Sequence, residues 1–352
     1  MIHCAIEGQK PIFLDMDPLV GFTHIIEKMN DLSVPLVDWL LEESDPSVRY
    51  RTLTELLHKP SDGVQVQAAR KAIMDGQQAQ RIFKKMHPDG YWLQKKSSTG
   101  QLIGDGVEYG SFATTHFVLS YLAELGFTVQ DPRVAKATDR YLNLQQADGD
   151  FWMHLSCLYS YNIRTFIMLG LRDDARVQRA VDMMLATARE DGGYLCDLHE
   201  GKYKTRDVKS CIRGSVKALL AFAELPEYWQ HPRCLQLIDY FLQRGGVFKR
   251  GKPDQPVNDD IVRTSYPIIW RASITELLYG LAKMGYGNDQ RLSPAWDILE
   301  SKRDTDGRYL LDWTTTSALL KAGKRGEPNK WVTLYALLAK QFRDNDSLNR
   351  AL

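Results

Sequence analysis

One unit recurs five times along the chain. A segment with helical spacing of apolar residues ends in a glycine, and an aromatic residue follows two positions later. The pairs are Gly90/Trp92, Gly149/Phe151, Gly192/Tyr194, Gly246/Phe248 and Gly307/Tyr309. Their glycines stand 59, 43, 54 and 61 residues apart. A supersecondary unit that returns every few tens of residues cannot bury its apolar face alone, so its neighbours must stack on it. The chain is expected to be one array of helical hairpins rather than a string of unrelated domains.

Each unit reads as two helices. The first carries a dense apolar run: Phe117 to Leu125, Leu158 to Leu169, Val216 to Leu225, Ile268 to Leu281, and Trp331 to Leu338. Such a run is apolar over a wide arc and suits an inner ring. The second helix opens on a capping signal at Asp131, Asp173, His231 or Asn288. Asp or Asn there satisfies orphan N–H groups of the first turn, and Pro132 and Pro232 fit the first helical position. Its single apolar stripe, as in Val134, Ala137, Tyr141 and Leu144, suits an outer ring. The helix from Trp331 has no outer partner after it, whereas Val34 to Glu43 precedes the first inner helix at Ser47. The N-terminal helix is therefore expected to close the ring. The expected fold is all-α, a closed (α/α)6 toroid over residues 33–345, with an arm at 1–32 and a tail at 346–352.

At this point the chain resembles the αα-toroid superfamily of triterpene cyclases and protein prenyltransferase β-subunits. Triterpene cyclases carry a Gln-x3-Gly-x-Trp repeat. Gln145, Gly149 and Phe151 match its spacing with Phe in place of Trp, and Gly90/Trp92 keep the second half with Met86 in the Gln position. The resemblance spans roughly residues 45–342. It implies the toroid and an apolar, isoprenoid-like substrate in the central cavity. The catalytic motifs of the family are absent. No Asp-x-Asp-Asp string occurs; Asp15 and Asp17 in the arm come nearest. The pairs Asp173/Asp174 and Asp259/Asp260 have Val177 and Arg263 where a magnesium-binding motif needs a third Asp. Asp207 and Cys211 are spaced differently from the Asp-x-Cys zinc pair of the prenyltransferases. No catalytic residue is carried over.

Loop lengths identify the working face. Connections from inner to outer helix are short. Those from the glycine–aromatic pair to the next inner helix are mostly long, over 93–111, 195–210, 249–266 and 310–330. In an alternating ring the long ones share one end, and long irregular segments in compact domains are usually functional. Inner-helix N-termini, which favour anions, point the same way. These four loops hold 14 Lys/Arg against 10 Asp/Glu, an excess too small to establish an anionic ligand.

The thiols gather at this mouth. Cys157 starts one inner helix, Cys211 starts the next, and Cys196 and His199 lie in the loop between. Thiolates plus imidazole at four points match tetrahedral zinc; His154 and His116 are substitutes for His199. Without metal, Cys157 or Cys211 at a helix N-terminus would gain a lowered pKa and nucleophilic character. The bland alternative is that the cysteines are small buried apolar residues. Aromatic and imidazole side chains form a second group of candidate cavity residues: Tyr109, His116, Tyr161, Tyr266, Trp270, Trp313 and Trp331. Rings facing a cavity would bind an apolar chain or a cation, although core packing explains any one of them.

Composition narrows the function. A net charge of +1 argues against binding nucleic acid by neutralising phosphates. Hydrophobic residues make up 44% of the chain, enough for a substantial core, yet no stretch has the length and continuity of a transmembrane helix. Five cysteines in 352 residues do not suggest a disulfide framework, and the N-terminus lacks a signal-peptide pattern, so a cytoplasmic protein is expected. Two classes remain. One is a zinc-assisted enzyme acting on an apolar small molecule; the other is a non-catalytic toroid that binds a ligand, protein or peptide and uses zinc as a structural staple.

Overall fold

The five turn glycines all have positive φ: 91° at Gly90, 99° at Gly149, 79° at Gly192, 80° at Gly246 and 82° at Gly307. A computed structural model describes residues 32–95, 99–104, 114–151, 154–187, 189–197, 209–269, 271–315, 319 and 322–345. In each unit the chain leaves the outer helix through this left-handed turn, which costs a side-chain-bearing residue strain. The ring two positions on turns inward: Trp92, Phe151, Tyr194, Phe248 and Tyr309 are all buried. Two contacts recur around them. The aromatic residue's own N–H donates to a hydroxyl on the next inner helix, Trp92 to Thr115 at 3.0 Å, Tyr194 to Ser215 at 2.9 Å and Tyr309 to Thr333 at 2.9 Å. Its polar tip reaches back to the outer helix just left, Trp92 Nε1 to Ile82 O at 2.8 Å and Tyr194 Oη to Met184 O at 2.8 Å. Gln145 Nε2 donates to Gly149 O at 3.0 Å and Arg176 O at 2.6 Å, so it ties its turn to the following outer helix.

The inner positions are α2 (Pro46–Arg51, continuing as a π turn over Thr52–Leu56), α5 (Thr115–Glu124), α7 (Ser156–Met168), α9 (Ile212–Ala223), α11 (Ile274–Lys283) and α13 (Lys330–Asp344). Outside them lie α1 (Val34–Leu40), α3 (Val64–Asp75) with α4 (Gln77–Lys84), α6 (Pro132–Leu142), α8 (Ala175–Ala186), α10 (Pro232–Leu242) and α12 (Ser293–Glu300). Two short hairpins, β1–β2 (Gln94–Lys95 with Leu102–Ile103) and β3–β4 (Phe248–Lys249 with Lys252–Pro256), sit at the loop-bearing end. The ring closes. Gln341 of α13 donates to Leu56 O at 3.0 Å, Lys330 pairs with Glu42 at 2.8 Å, and the Arg308 guanidinium lies 4.8 Å from the centre of the Trp39 ring. The N-terminal helix is thus the outer partner of the last inner one. No described helix is long and apolar enough to cross a membrane.

Three boundaries differ from the sequence reading. The fifth inner helix starts at Ile274, not Ile268, because the Ser273 hydroxyl caps it by accepting from Glu276 N–H at 3.3 Å; Ile268 and Ile269 are buried in the preceding loop. The first outer element, read in the sequence as continuous from Val64 to Met86, breaks at Gly76, whose ψ of 150° ends one helix and starts the next. In the fifth unit Asp289, rather than Asn288, caps a short 3₁₀ turn, and the α-helix begins at Ser293.

Candidate site at the loop-bearing mouth

Gly214 sets the geometry of the thiols. A Cβ there would stand 2.2 Å from Ser156 Oγ and 3.6 Å from Cys157 N, so α7 and α9 touch at their N-terminal ends. Cys211 precedes α9, and its N–H donates to Tyr194 O at 2.7 Å. The chain that leaves this buried ring then carries Cys196 onto the start of α7. Its sulfur lies 4.0 Å from Cys157 Sγ and 3.4 Å from Ser156 Oγ. Cys196 is 3% exposed, while Cys157 and Cys211 are half-buried.

The electrostatics of the three differ. The Cys157 hydrogen bond is the largest influence on Cys196; with the Ser156 hydroxyl and the backbone N–H groups of both residues it overcomes burial and lowers the thiol to about 6. Cys196 is therefore an acidic thiol that caps a helix N-terminus. Cys211 moves the other way: burial raises it, and the neighbouring Cys196 charge adds to the rise. The expectation that a helix start lowers Cys211 is thus corrected by burial and a like charge.

Of the four zinc ligands expected, the structure brings Cys157 and Cys196 together and places Cys211 close enough to sense the Cys196 charge. His199 lies outside the described residues. Among the described residues no three His, Cys, Asp or Glu side chains are grouped closely enough to hold a metal ion. His154, the first substitute, has both ring nitrogens engaged, Nδ1 with Asp197 at 2.9 Å and Nε2 with Asp148 at 2.8 Å. It ties the turn at Asp148 to the segment beside Cys196. Burial disfavours its charge, but the two carboxylates prevail and raise its pKa above the usual 6.5. With the folded value raised, the tie is at full strength below 6.5 and is lost as pH rises through the folded value. An NMR titration should place the His154 midpoint above 6.5 and show it falling in Asp197→Asn; a wild-type midpoint at or below the ordinary value would contradict the tie.

Of the candidate cavity residues, Tyr109 and Trp270 lie outside the described residues. His116, the second substitute ligand, is buried with its ring 4.1 Å from Phe117, and burial lowers it to about 3. Tyr161 packs edge-on against Phe117 at 5.8 Å. Tyr266 stacks on Trp331 at 4.7 Å, and both rings are buried. Trp313 is half-buried beneath the Arg271 guanidinium at 4.4 Å. Beside it Asp260 holds Arg271 at 2.6 Å, Arg213 at 2.7 Å and Arg263 at 3.6 Å. The mouth therefore joins an acidic thiol, a half-buried indole and an arginine-rich corner.

The opposite end of the ring holds what the sequence reading missed. Glu124 accepts from Arg51 at 3.0 Å, from Arg164 at 2.5 Å and from the Tyr335 hydroxyl. Arg51 also pairs with Glu55 at 2.6 Å, Arg164 approaches Glu224 at 3.8 Å, and Glu224 holds Lys283 at 2.6 Å. All six inner positions contribute to this network, and Arg164 Nη2 donates to Tyr335 Oη at 3.0 Å between the third and the sixth. Its three cations and three carboxylates balance, and they stitch the ring shut near the C-terminal ends of the inner helices. A second buried pair, Lys217–Glu276, spans α9 and α11. Burial pushes both of its groups toward their neutral forms, against the attraction between them. The available signal was the few charges inside the apolar runs, Glu124, Arg164, Lys217 and Glu224 among them.

No protein-family model matches the chain, and no curated protein sequence does. Several solved structures are similar to it to different degrees. A glycosyl hydrolase of family 88 from Bacteroides vulgatus superposes with a TM-score of 0.51 at 13% identity, over 94% of this chain and 100% of that one. A polysaccharide lyase gives 0.49 at 14%, over 95% and 98%. The type II terpene cyclase MstE from Scytonema gives 0.33 at 10%, over 90% and 100%. At such identities the likeness concerns the fold. The chain is an αα-toroid.

Proposed function

We propose that this toroid is a metal-assisted enzyme that binds an apolar ligand from its loop-bearing mouth, with zinc held by Cys157, Cys196, Cys211 and His199 as Lewis acid or thiol activator. The observation that carries this reading is the 4.0 Å approach of the Cys157 and Cys196 sulfurs, with Cys211 near enough for Cys196 to raise its thiol. Thiolates, not thiols, bind zinc, and the lowered pKa of Cys196 favours that form. The stitched floor supports entry from the mouth alone, where the half-buried Trp313 offers an aromatic surface. One observation favours a second reading, a structural zinc without catalysis. The thiols come from three segments, at the start of α7, before α9 and after Tyr194, so a metal with four protein ligands would staple the rim and leave no open position.

Elemental analysis of protein purified without added metal should give about one zinc per chain. Cys211→Ser and Cys196→Ser should each lose most of it. His199→Ala separates the two readings. Retained zinc that takes up an added small thiol indicates an open position and the enzyme; loss of zinc together with melting of the rim indicates a staple. Metal-free, fully stable wild-type protein refutes both.

A further inference from the structure

The chain carries a net charge of only +1, yet its cations are not evenly spread. A cleft of about 980 Å³ opens on the rim beside the fourth unit, between the connection that enters it and the hairpin that leaves it. Arg189, Lys209, Arg244, Lys249, Arg250 and Lys252 line it, against the two carboxylates Glu190 and Asp191. The local excess of four positive charges must be balanced elsewhere on the molecule. Asp191 is already committed, accepting from the Ser210 N–H at 3.0 Å, the Ser210 hydroxyl at 2.5 Å and Gly193 N–H at 3.2 Å. Arg244 is 8% exposed and lies against the Tyr240 ring at 4.1 Å, with Asp191 at a loose 3.9 Å. Among the described residues Lys209, Lys249, Arg250 and Lys252 form no ion pair.

Three of these cations ride on the β3–β4 hairpin. Lys252 to Gln255 of β4 are exposed, and nothing lies within 4 Å of a Cβ built at Gly251 in the turn. A two-stranded hairpin with so little to bury is marginal on its own account. Holding unpaired like charges together also works against folding. Core packing explains neither the arm nor its charge, whereas a ligand explains both.

We propose that this cleft binds a small polyanion bearing several phosphate groups. Its volume matches small-molecule sites, and its concave form sets it apart from a flat patch for a macromolecule. Guanidinium groups pair with phosphate oxygens in a fork; the exposed Arg250 supplies one, while Arg189, whose Nε donates to Ser210 Oγ at 3.0 Å, and the buried Arg244 add positive charge to the wall. The site borders the thiol centre, since Ser210 precedes Cys211, but none of its lining residues is a proposed zinc ligand.

The test is calorimetric titration of the full-length protein with inorganic tripolyphosphate at low salt. One site per chain is expected, with Kd below roughly 100 µM. Arg250→Glu/Lys252→Glu should weaken it at least about tenfold. Lys71→Glu/Lys84→Glu, the same charge change on the outer helices of the first unit, should leave it within about twofold. Both double variants alter exposed side chains, so folding is expected to survive, and circular dichroism checks that. Absence of binding at roughly 1 mM, or equal weakening by the two double variants, overturns the proposal.

Discussion

Glu124→Ala will remove about 3–5 kcal/mol of folding stability, because it leaves two buried guanidinium groups facing each other without their shared carboxylate. Glu124 is 1% exposed and joins Arg51, Arg164 and Tyr335, which come from three other inner positions. Urea denaturation reads the loss; a change under about 1 kcal/mol would show that the network closes nothing. Glu227→Ala is the contrast. Its partner Arg172 stands 3.3 Å away with both side chains well exposed, so the cost should stay within about 0.5 kcal/mol. The network also sets the acid limit. Burial pushes Glu124 up, but Arg164 and Arg51 outweigh it and hold the carboxyl below its usual 4.5. Glu224 follows the same pattern, with Lys283 and Arg164 overcoming burial. A depressed folded value means that the stabilisation is complete above the unfolded value and lost as pH falls through the folded one. Stability should therefore drop steeply below about pH 4.5, and Glu124→Gln should flatten that slope.

Gly149→Val should cost about 3–5 kcal/mol, from two sources that add. At a φ of 99° a β-branched residue is strained, and its Cβ would lie 2.5 Å from Arg179 O, a backbone atom of the next outer helix that cannot swing aside. Gly326→Ala isolates the first source. Its φ is 81° and nothing lies within 4 Å, so about 1 kcal/mol is expected. Thermal or urea unfolding of the two variants checks this; equal losses would show that close approach between units contributes nothing.

The repeat was legible because a left-handed glycine followed by a buried ring is a local signal, readable at each turn. Ring closure was legible from an unpaired inner helix at one end and a spare outer helix at the other. The gathering of Cys157 and Cys196 followed from the same topology. The floor network was not legible, since, Arg51–Glu55 aside, its partners are distant in sequence, as with Arg51 and Tyr335. Helical periodicity says that Glu124 faces inward but not what it meets across the ring. The start of the fifth inner helix was misplaced because Ile268 and Ile269 are buried without being helical; apolar character reports burial more faithfully than it reports period. The basic cleft vanished in an average. Across four loops the charge excess is small, while folding collects Lys209, Lys249, Arg250 and Lys252 around one space and leaves compensating carboxylates elsewhere. Cys211 was misjudged because the cost of burial and the Cys196 charge do not appear in sequence spacing.

The proposed thiolate metal centre at the mouth is tested most directly by zinc K-edge absorption on reduced protein purified without added metal. The predicted spectrum is a near-stoichiometric zinc with three sulfur scatterers at about 2.3 Å and one nitrogen at about 2.0–2.1 Å, the sulfur shell shrinking in Cys196→Ser. A folded protein without zinc, or with a shell of oxygen and nitrogen alone, would contradict it.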